Sequence, residues 1–335
     1  MHRSMVGVPP ARIVKVDILG SPASRYRTTE LRLDFLVAII RAIRHRSWTA
    51  LDAVVLPAGY LRTNQWLAPL SPLDRLELIS NSELSSACRF AISRLSTMSP
   101  GCVLVVGIDT NRYLPWGFRG DQALAAFNEG GCLTVVRKIF PTDGDTNECG
   151  RAPYLLDYSD AVGDNRFLPL PSGHNAMLCV CYDSFVFSEL ALGPSDKLRA
   201  MRYRTDNTEA WDLLRPQDAW DLLHDLRRQI ALHSPTVVLN PIHGFERQGS
   251  DVFWQRHGLA VASSALGGGL AIGAAHYRRA LPEPNYSLLS AIDVPANHVG
   301  LGANRRAHPS SVVDSFTLHA RGHRSLKALI QLYEG

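Results

Sequence analysis

The sequence predicts an α/β fold, and three observations carry that expectation. Short apolar runs closed by turn residues recur along the chain, stretches with apolar residues at helical spacing lie between them, and these stretches open on serine or threonine. In residues 13–19, Val14, Val16 and Ile18 alternate with Lys15 and Asp17, which reads as a strand with one polar face. After Gly20 and Pro22, the residues Leu33, Leu36, Val37, Ile40 and Ile43 define a helix with Thr28 or Thr29 as N-cap. Residues 52–56 form the next strand, ended by Pro57 and Gly59. Ser82 opens a second helix through Leu84, Ala87, Cys88, Ala91 and Leu95.

Strands follow at residues 102–108, 132–139 and 176–181. Next come a helix with Ala219, Leu222, Leu223, Leu226 and Ile230 inward and a strand at 236–239. Residues 259–265 and 270–275 read as short strands around Gly267-Gly268-Gly269. No helix follows these glycines, so a hairpin turn is preferred to a phosphate cradle. Residues 281–312 are rich in Pro, Asn, Gly and Arg and read as loop, before a strand at 315–320 and an amphipathic tail with Leu326, Leu329 and Ile330. Neither a repeat nor a linker interrupts the chain, which predicts a single domain over 1–335 with a loop-rich tail from about 281.

With 335 residues, 46% of them hydrophobic, the chain can bury a large core. A net charge of +4, from 35 Lys and Arg against 31 Asp and Glu, is too weak a bias to predict nucleic-acid binding. Cys88, Cys102, Cys132, Cys149, Cys179 and Cys181 sit in or beside apolar runs at irregular spacing. They form neither a disulfide framework nor a zinc pattern, which predicts a reducing, cytoplasmic setting and no metal. No apolar window predicts a signal peptide or a membrane span.

The run Met177-Leu178-Cys179-Val180-Cys181 stops at Tyr182-Asp183, placing a thiol where a buried strand meets its loop, the end at which ligands collect in open α/β sheets. Taken alone, Cys181 also fits a small core hydrophobe. Two further segments end comparably: residues 52–56 run into Pro57, and Val135-Val136-Arg137-Lys138 carries a lysine shortly before Pro141. Together these places resemble the nitrilase (carbon-nitrogen hydrolase) superfamily over roughly residues 12 to 275. Arg137-Lys138 matches the family's lysine motif and Cys181-Tyr182-Asp183 its cysteine motif, in family order and approximate separation.

The resemblance implies a four-layer α-β-β-α sandwich, no cofactor, and a homodimer or larger assembly. It also implies hydrolysis of a small amide, carbamoyl compound or nitrile through a Cys181 acyl-enzyme, with Lys138 and the backbone N–H of Tyr182 holding the oxyanion. One family residue is missing. In Pro57-Ala58-Gly59-Tyr60 the general-base glutamate is replaced by Ala58, and Arg256-His257-Gly258 departs from a second family pattern, a glutamate and asparagine ahead of a strand.

General acid–base help is worth roughly 10² to 10⁴ in rate, so the chemistry needs another group. Glu148 is one candidate, the counterpart of a second family glutamate in a loop that also offers Asp143 and Asp145. His243, just past a strand end in Asn240-Pro241-Ile242-His243, is the other, and its ordinary pKa suits a base. Both also read as ordinary loop residues. His174 falls at the opposite end of its strand, Asp183 reads as a structural hydrogen-bonding partner, and Glu189 as a surface or interface acid. Tyr60, Trp66, Trp116 and Trp254 are candidates for a pocket wall or for packing. The insert between about 190 and 216, with Lys197, Arg199, Arg202 and Arg204, reads as a solvated helix and loop, or as a lid or subunit contact. A second overall reading is a catalytically impaired nitrilase-fold protein that binds a ligand or partner. A serine hydrolase is excluded by the absence of a Gly-x-Ser-x-Gly elbow.

Overall fold

The computed structural model describes residues 8–20, 29–65, 67, 70–110, 122–139, 162–187, 202–204, 211–213, 216–245, 254, 258–266, 269–277, 288–291, 307–309, 312–320 and 327–335. In chain order the described elements are β1 (Arg12–Leu19), α1 (Thr29–His45), β2 (Ala53–Val55), β3 (Leu61–Thr63), α2 (Pro72–Ser80), α3 (Glu83–Ile92), β4 (Val103–Thr110), β5 (Gln122–Phe127) and β6 (Cys132–Arg137). Next come β7 (Phe167–Pro169), β8 (Asn175–Leu178), β9 (Arg202–Arg204), β10 (Trp211–Leu213), α4 (Pro216–His233), β11 (Val237–Pro241) and α5 (Ala260–Ala265). The chain closes with β12 (Leu270–Ala274), β13 (His276–Tyr277), β14 (Leu288–Ala291), β15 (Ala307–Pro309), β16 (Val312–His319) and β17 (Lys327–Glu334).

Two mixed sheets result. The first runs β16-β17-β1-β2-β4-β5-β6, with β3 against β4 and β13 against β1; the second runs β15-β14-β12-β11-β8-β7. β1, β2 and β4 are parallel, as are β8, β11 and β12, so their carboxyl ends gather along one edge of each sheet. β6 is antiparallel to β5, itself antiparallel to β4, and therefore also ends on that edge.

One core packs α1, α2 and α3 on the first sheet: Phe35, Leu36, Ile39, Ile40 and Ile43 of α1 meet Val14, Val16 and Ile18 of β1. Helix starts are set by side-chain caps, as Ser71 accepts from the Asp74 amide before Pro72 at the first turn of α2 and Ser82 accepts from the Ser85 amide before α3. A second core lies between the sheets, where Ile13, Val55, Val105, Leu124 and Val136 face Leu178, Val237, Leu239 and Ile272. α5 packs on the far side of the second sheet, against β11, β12 and β14.

Because both faces of β1 are covered, its expected polar face is buried. Lys15 and Asp17 pair at 3.1 Å, almost wholly out of solvent, and Asp17 Oδ1 accepts from the Ala275 amide at 2.9 Å. Asp52 joins the sheets at the other end, accepting from the amides of Arg12 (2.8 Å) and Ser172 (2.7 Å).

Four element readings are corrected. Residues 260–265 are helical rather than a strand: a short apolar run carries no period, and here it covers the second sheet instead of joining it. The chain therefore goes from helix to strand near Gly269, not through a hairpin, and a Cβ on Gly269 would stand 2.2 Å from the Thr236 carbonyl oxygen. The last residues form β17, with Ala328, Ile330 and Leu332 inward at period two and the strand paired along β1. Within the insert, β9 and β10 pair as a hairpin where helix and loop were expected, and β14 and β15 lie in the expected loop. None of the described helices is long and apolar enough to cross a membrane.

Removing one partner of a buried ion pair strands the other charge. Asp17→Asn is expected to lower unfolding stability by about 3–5 kcal/mol in urea denaturation, while Lys15→Met combined with Asp17→Leu recovers most of the loss. A loss below about 1 kcal/mol for the single variant contradicts this account of the inter-sheet pair.

Candidate active site

The carboxyl ends of the two sheets meet, and six side chains or backbones of interest lie there: Ala58 after β2, Asp109 near the end of β4, Lys138 after β6, Cys181 after β8, His243 after β11 and His276 after β12. Pairing of β8 continues past its end through the Cys179 amide to the Leu239 carbonyl (3.0 Å), after which the chain enters a 3₁₀ turn, Cys181–Phe187. Cys181 takes a left-handed backbone conformation, φ +53°, which is unfavourable for a side-chain-bearing residue by about 1–3 kcal/mol and persists only when its surroundings impose it.

Asp183 imposes it. One carboxylate oxygen accepts from the Ile139 amide at 2.8 Å, and the other accepts from the Val180 amide at 3.2 Å and meets Arg166 Nη1 at 3.3 Å. Arg166 also donates to the carbonyls of Leu178 and Arg137. A single buried carboxylate thus grips the residue after Lys138 and the residue before Cys181. Its role is structural. Lys138, 2% exposed, is anchored to Gln122 twice, from its amide to the carbonyl and from Nζ to Oε1, both at 2.9 Å.

His243 stands beside the thiol. Nε2 donates to Asp109 Oδ1 at 2.9 Å, and a quarter of the His243 side chain remains exposed. The ring and the backbone N–H of His243 both engage the Cys181 sulfur. With Nε2 held by Asp109, the nitrogen left for the thiol is Nδ1, which is buried and has no partner of standard geometry; such long contacts are common in a site without substrate.

The charges reinforce one another. Burial opposes a charge on Cys181, yet Lys138, followed by the ring and amide of His243, outweighs it and brings the thiol below its ordinary value. For His243, burial opposes protonation, but the charge and hydrogen bond of Asp109, then Cys181, push it up to about 10. Each charge thus favours the other, the thiolate on Cys181 and the imidazolium on His243. His276 behaves oppositely: burial, then the charges of Arg32 and His243, bring it down to about 3, so it stays neutral. Burial raises the thiols of Cys88, Cys102 and Cys179, and that of Cys132 to about 12.

Of the candidates from sequence, Cys181, Tyr182, Lys138, His243 and Ala58 are thus brought to one place. Glu148, Asp143, Asp145, Glu189, Trp66, Trp116 and Arg256 to Gly258 lie, in whole or in part, outside the described residues. His174 is remote, bonded to Thr236 Oγ1 and the Pro9 carbonyl. Tyr60 is fully buried and donates to the Arg32 carbonyl, while Trp254 packs edge-on to Tyr182 at 4.8 Å. Asp109 went unread, although it directly follows the apolar run that marks its strand. Among the described residues, no three His, Cys, Asp or Glu side chains are grouped to hold a metal ion.

Comparison with protein-family models and with curated proteins gives no match. Solved structures do resemble the chain. They include nitrilase-superfamily amidases. A cysteine-to-alanine mutant of the Nesterenkonia AN1 amidase from the nitrilase superfamily has 11% identity and a TM-score of 0.49, with 98% of this chain and 91% of that one covered. A glutamate-to-glutamine mutant of the same amidase, showing covalent addition of the acetamide moiety of fluoroacetamide at its active-site cysteine, has 12% identity and a TM-score of 0.48, with the same coverage. A CN-hydrolase superfamily protein from Xanthomonas campestris, with an arsenic adduct in its active site, has 13% identity and a TM-score of 0.42 over 80% of this chain and 76% of that one. Likeness at this level fixes no correspondence between residues, and the chemistry of the site rests on its own geometry.

A lowered thiol pKa raises the share of thiolate on Cys181 relative to the other thiols, whose pKa values are raised. Brief iodoacetamide treatment at neutral pH is expected to alkylate Cys181 ahead of Cys88, Cys102, Cys132 and Cys179, read by peptide mass spectrometry. In Lys138→Met the reaction moves to higher pH; equal labelling of all five cysteines, or an unmoved profile, contradicts the electrostatic assignment.

Proposed function

We propose that this protein is a thiol-dependent carbon-nitrogen hydrolase of the nitrilase type, acting on a small amide, carbamoyl compound or nitrile through a Cys181 acyl-enzyme. The observation that carries this reading is the thiol itself: nearly buried at a strand end with 5% of its surface exposed, held in a strained conformation, and bracketed by a lysine and an imidazole that favour its ionised form.

For an amide the sequence of events balances. The Cys181 thiolate attacks the carbonyl carbon, and Lys138 with the Tyr182 backbone N–H receives the developing oxyanion. As the carbon–nitrogen bond breaks, the His243 imidazolium gives its proton to the departing nitrogen, leaving a thioester and a neutral imidazole. Imidazole then takes a proton from the attacking water, thiolate is expelled, and the acid product departs with the starting charge state restored. Ala58 favours the second reading, an impaired hydrolase that retains the thiol for binding. His243 counts against it, because a proton carrier is present without a glutamate at that position.

Turnover of a small-amide panel, followed by ammonia release, tests the proposal. Cys181→Ala is expected to abolish it, Lys138→Met to lower kcat/KM by about 10² to 10³, and His243→Ala by about 10² to 10⁴. An inactive wild type that gains turnover from Ala58→Glu would establish the impaired reading.

A further inference from the structure

Ala58 leaves the exit of β2 without a carboxylate, yet a carboxylate occupies that corner of the site, supplied by β4. Asp109 Oδ1 lies 2.9 Å from His243 Nε2, and both side chains keep about a quarter or less of their surface exposed. The backbone around the pair is shaped to hold it. Gly59 has φ +63°, and a Cβ there would stand 2.5 Å from Asp109 Oδ2, so the carboxylate rests directly on a main chain that only glycine allows. A Cβ on Gly107 would stand 2.2 Å from the Ala58 Cα, and one on Gly244 would stand 2.7 Å from the His276 carbonyl oxygen.

The His243 loop is pinned on both sides. Ala58 donates its amide to the Ile242 carbonyl (3.2 Å), Ile242 to that of Ala274 (2.7 Å) and Phe245 to that of His276 (2.7 Å). The main chains that carry carboxylate and imidazole are therefore held at a fixed separation by backbone bonds between the two sheets. Among the described residues, the charged and titratable groups around the ring are Asp109 from β4, Cys181 from the turn after β8, Lys138 acting on that sulfur from the end of β6, and His276 of β13 with Arg32 of α1 behind it.

We infer that Asp109 is the positioning residue of a Cys181–His243–Asp109 unit, the Asp109–His243 pair replacing the single carboxylate that a nitrilase-type site would carry at position 58. It rests on the reading of Cys181 as nucleophile. Asp109 fixes the ring so that Nδ1 faces the sulfur and Nε2–H is spent on the carboxylate, and it stabilises the imidazolium that accompanies the thiolate. The ring is then both the proton donor to the leaving nitrogen and the acceptor from water.

Asp109→Asn keeps shape and a hydrogen bond but removes the charge. The pH profile of Cys181 alkylation by iodoacetamide is expected to move to higher pH by about one unit or more in this variant, and amide turnover to fall about 10²-fold or more. Should the variant fail to fold, the wild-type His243 ring decides by NMR titration: retention of its proton well above neutrality supports the unit. A ring that titrates near its ordinary value of about 6.5, or an Asp109→Asn profile superimposed on wild type, overturns it. Alkylation reads thiol ionisation whether or not any amide is cleaved. A wild type that turns over no amide but shows the shifted Asp109→Asn profile therefore refutes the hydrolase reading and keeps the unit.

Discussion

The buried carboxylate of Asp183 is what the rest of the site depends on. Ionised carboxylates are costly to desolvate, and this one is held by Arg166 and by the amides of Ile139 and Val180, which face it from two sheets. Those two amides flank the two candidate side chains: one follows Lys138, the other precedes Cys181. The separation of the two backbones is therefore set by main chain on both sides, and the Gln122 side chain holds the ammonium. The left-handed backbone at Cys181 is sustained by the same grip.

Around this fixed point the charges form an ordered series. Asp109 of β4 pairs in register with Gln122 of β5, and Gln122 holds Lys138 through both main chain and side chain. Across the gap, Asp109 holds His243 and His243 engages Cys181. Positive Lys138 and His243 thus flank the sulfur, while Asp109 keeps the ring charged. His276 remains neutral behind them, since burial, and then the charges of Arg32 and His243, oppose its protonation. Ala58 fits this arrangement. Its chain segment lies against β4 at a spacing that Gly59 and Gly107 permit, and the room beside it is taken by the Asp109 carboxylate.

Much of this was legible in the sequence, because period and strand ends are local signals. The serine cap of α3, the apolar stripe of α1 and the strand ends at Lys138 and Cys181 need no tertiary information. What escaped required knowing what packs where. Lys15 and Asp17 look like a solvated face until a second sheet covers them, and residues 260–265 look like a strand until they are seen to cover one. Asp109 carries no local signal that links it to Ala58. It lies some fifty positions further along the chain and is brought beside Gly59 by the parallel pairing of β2 with β4.

Whether Cys181 and His243 store a thiolate–imidazolium pair is most directly measured by the ultraviolet absorbance of the thiolate. The spectrum is followed across pH in the wild-type protein and corrected by Cys181→Ala. A single step well below the ordinary thiol value of about 8.5, lost in the subtraction control, is the result this account predicts. A step at or above that value would contradict it, because Lys138 and His243 would then not outweigh the burial of the thiol.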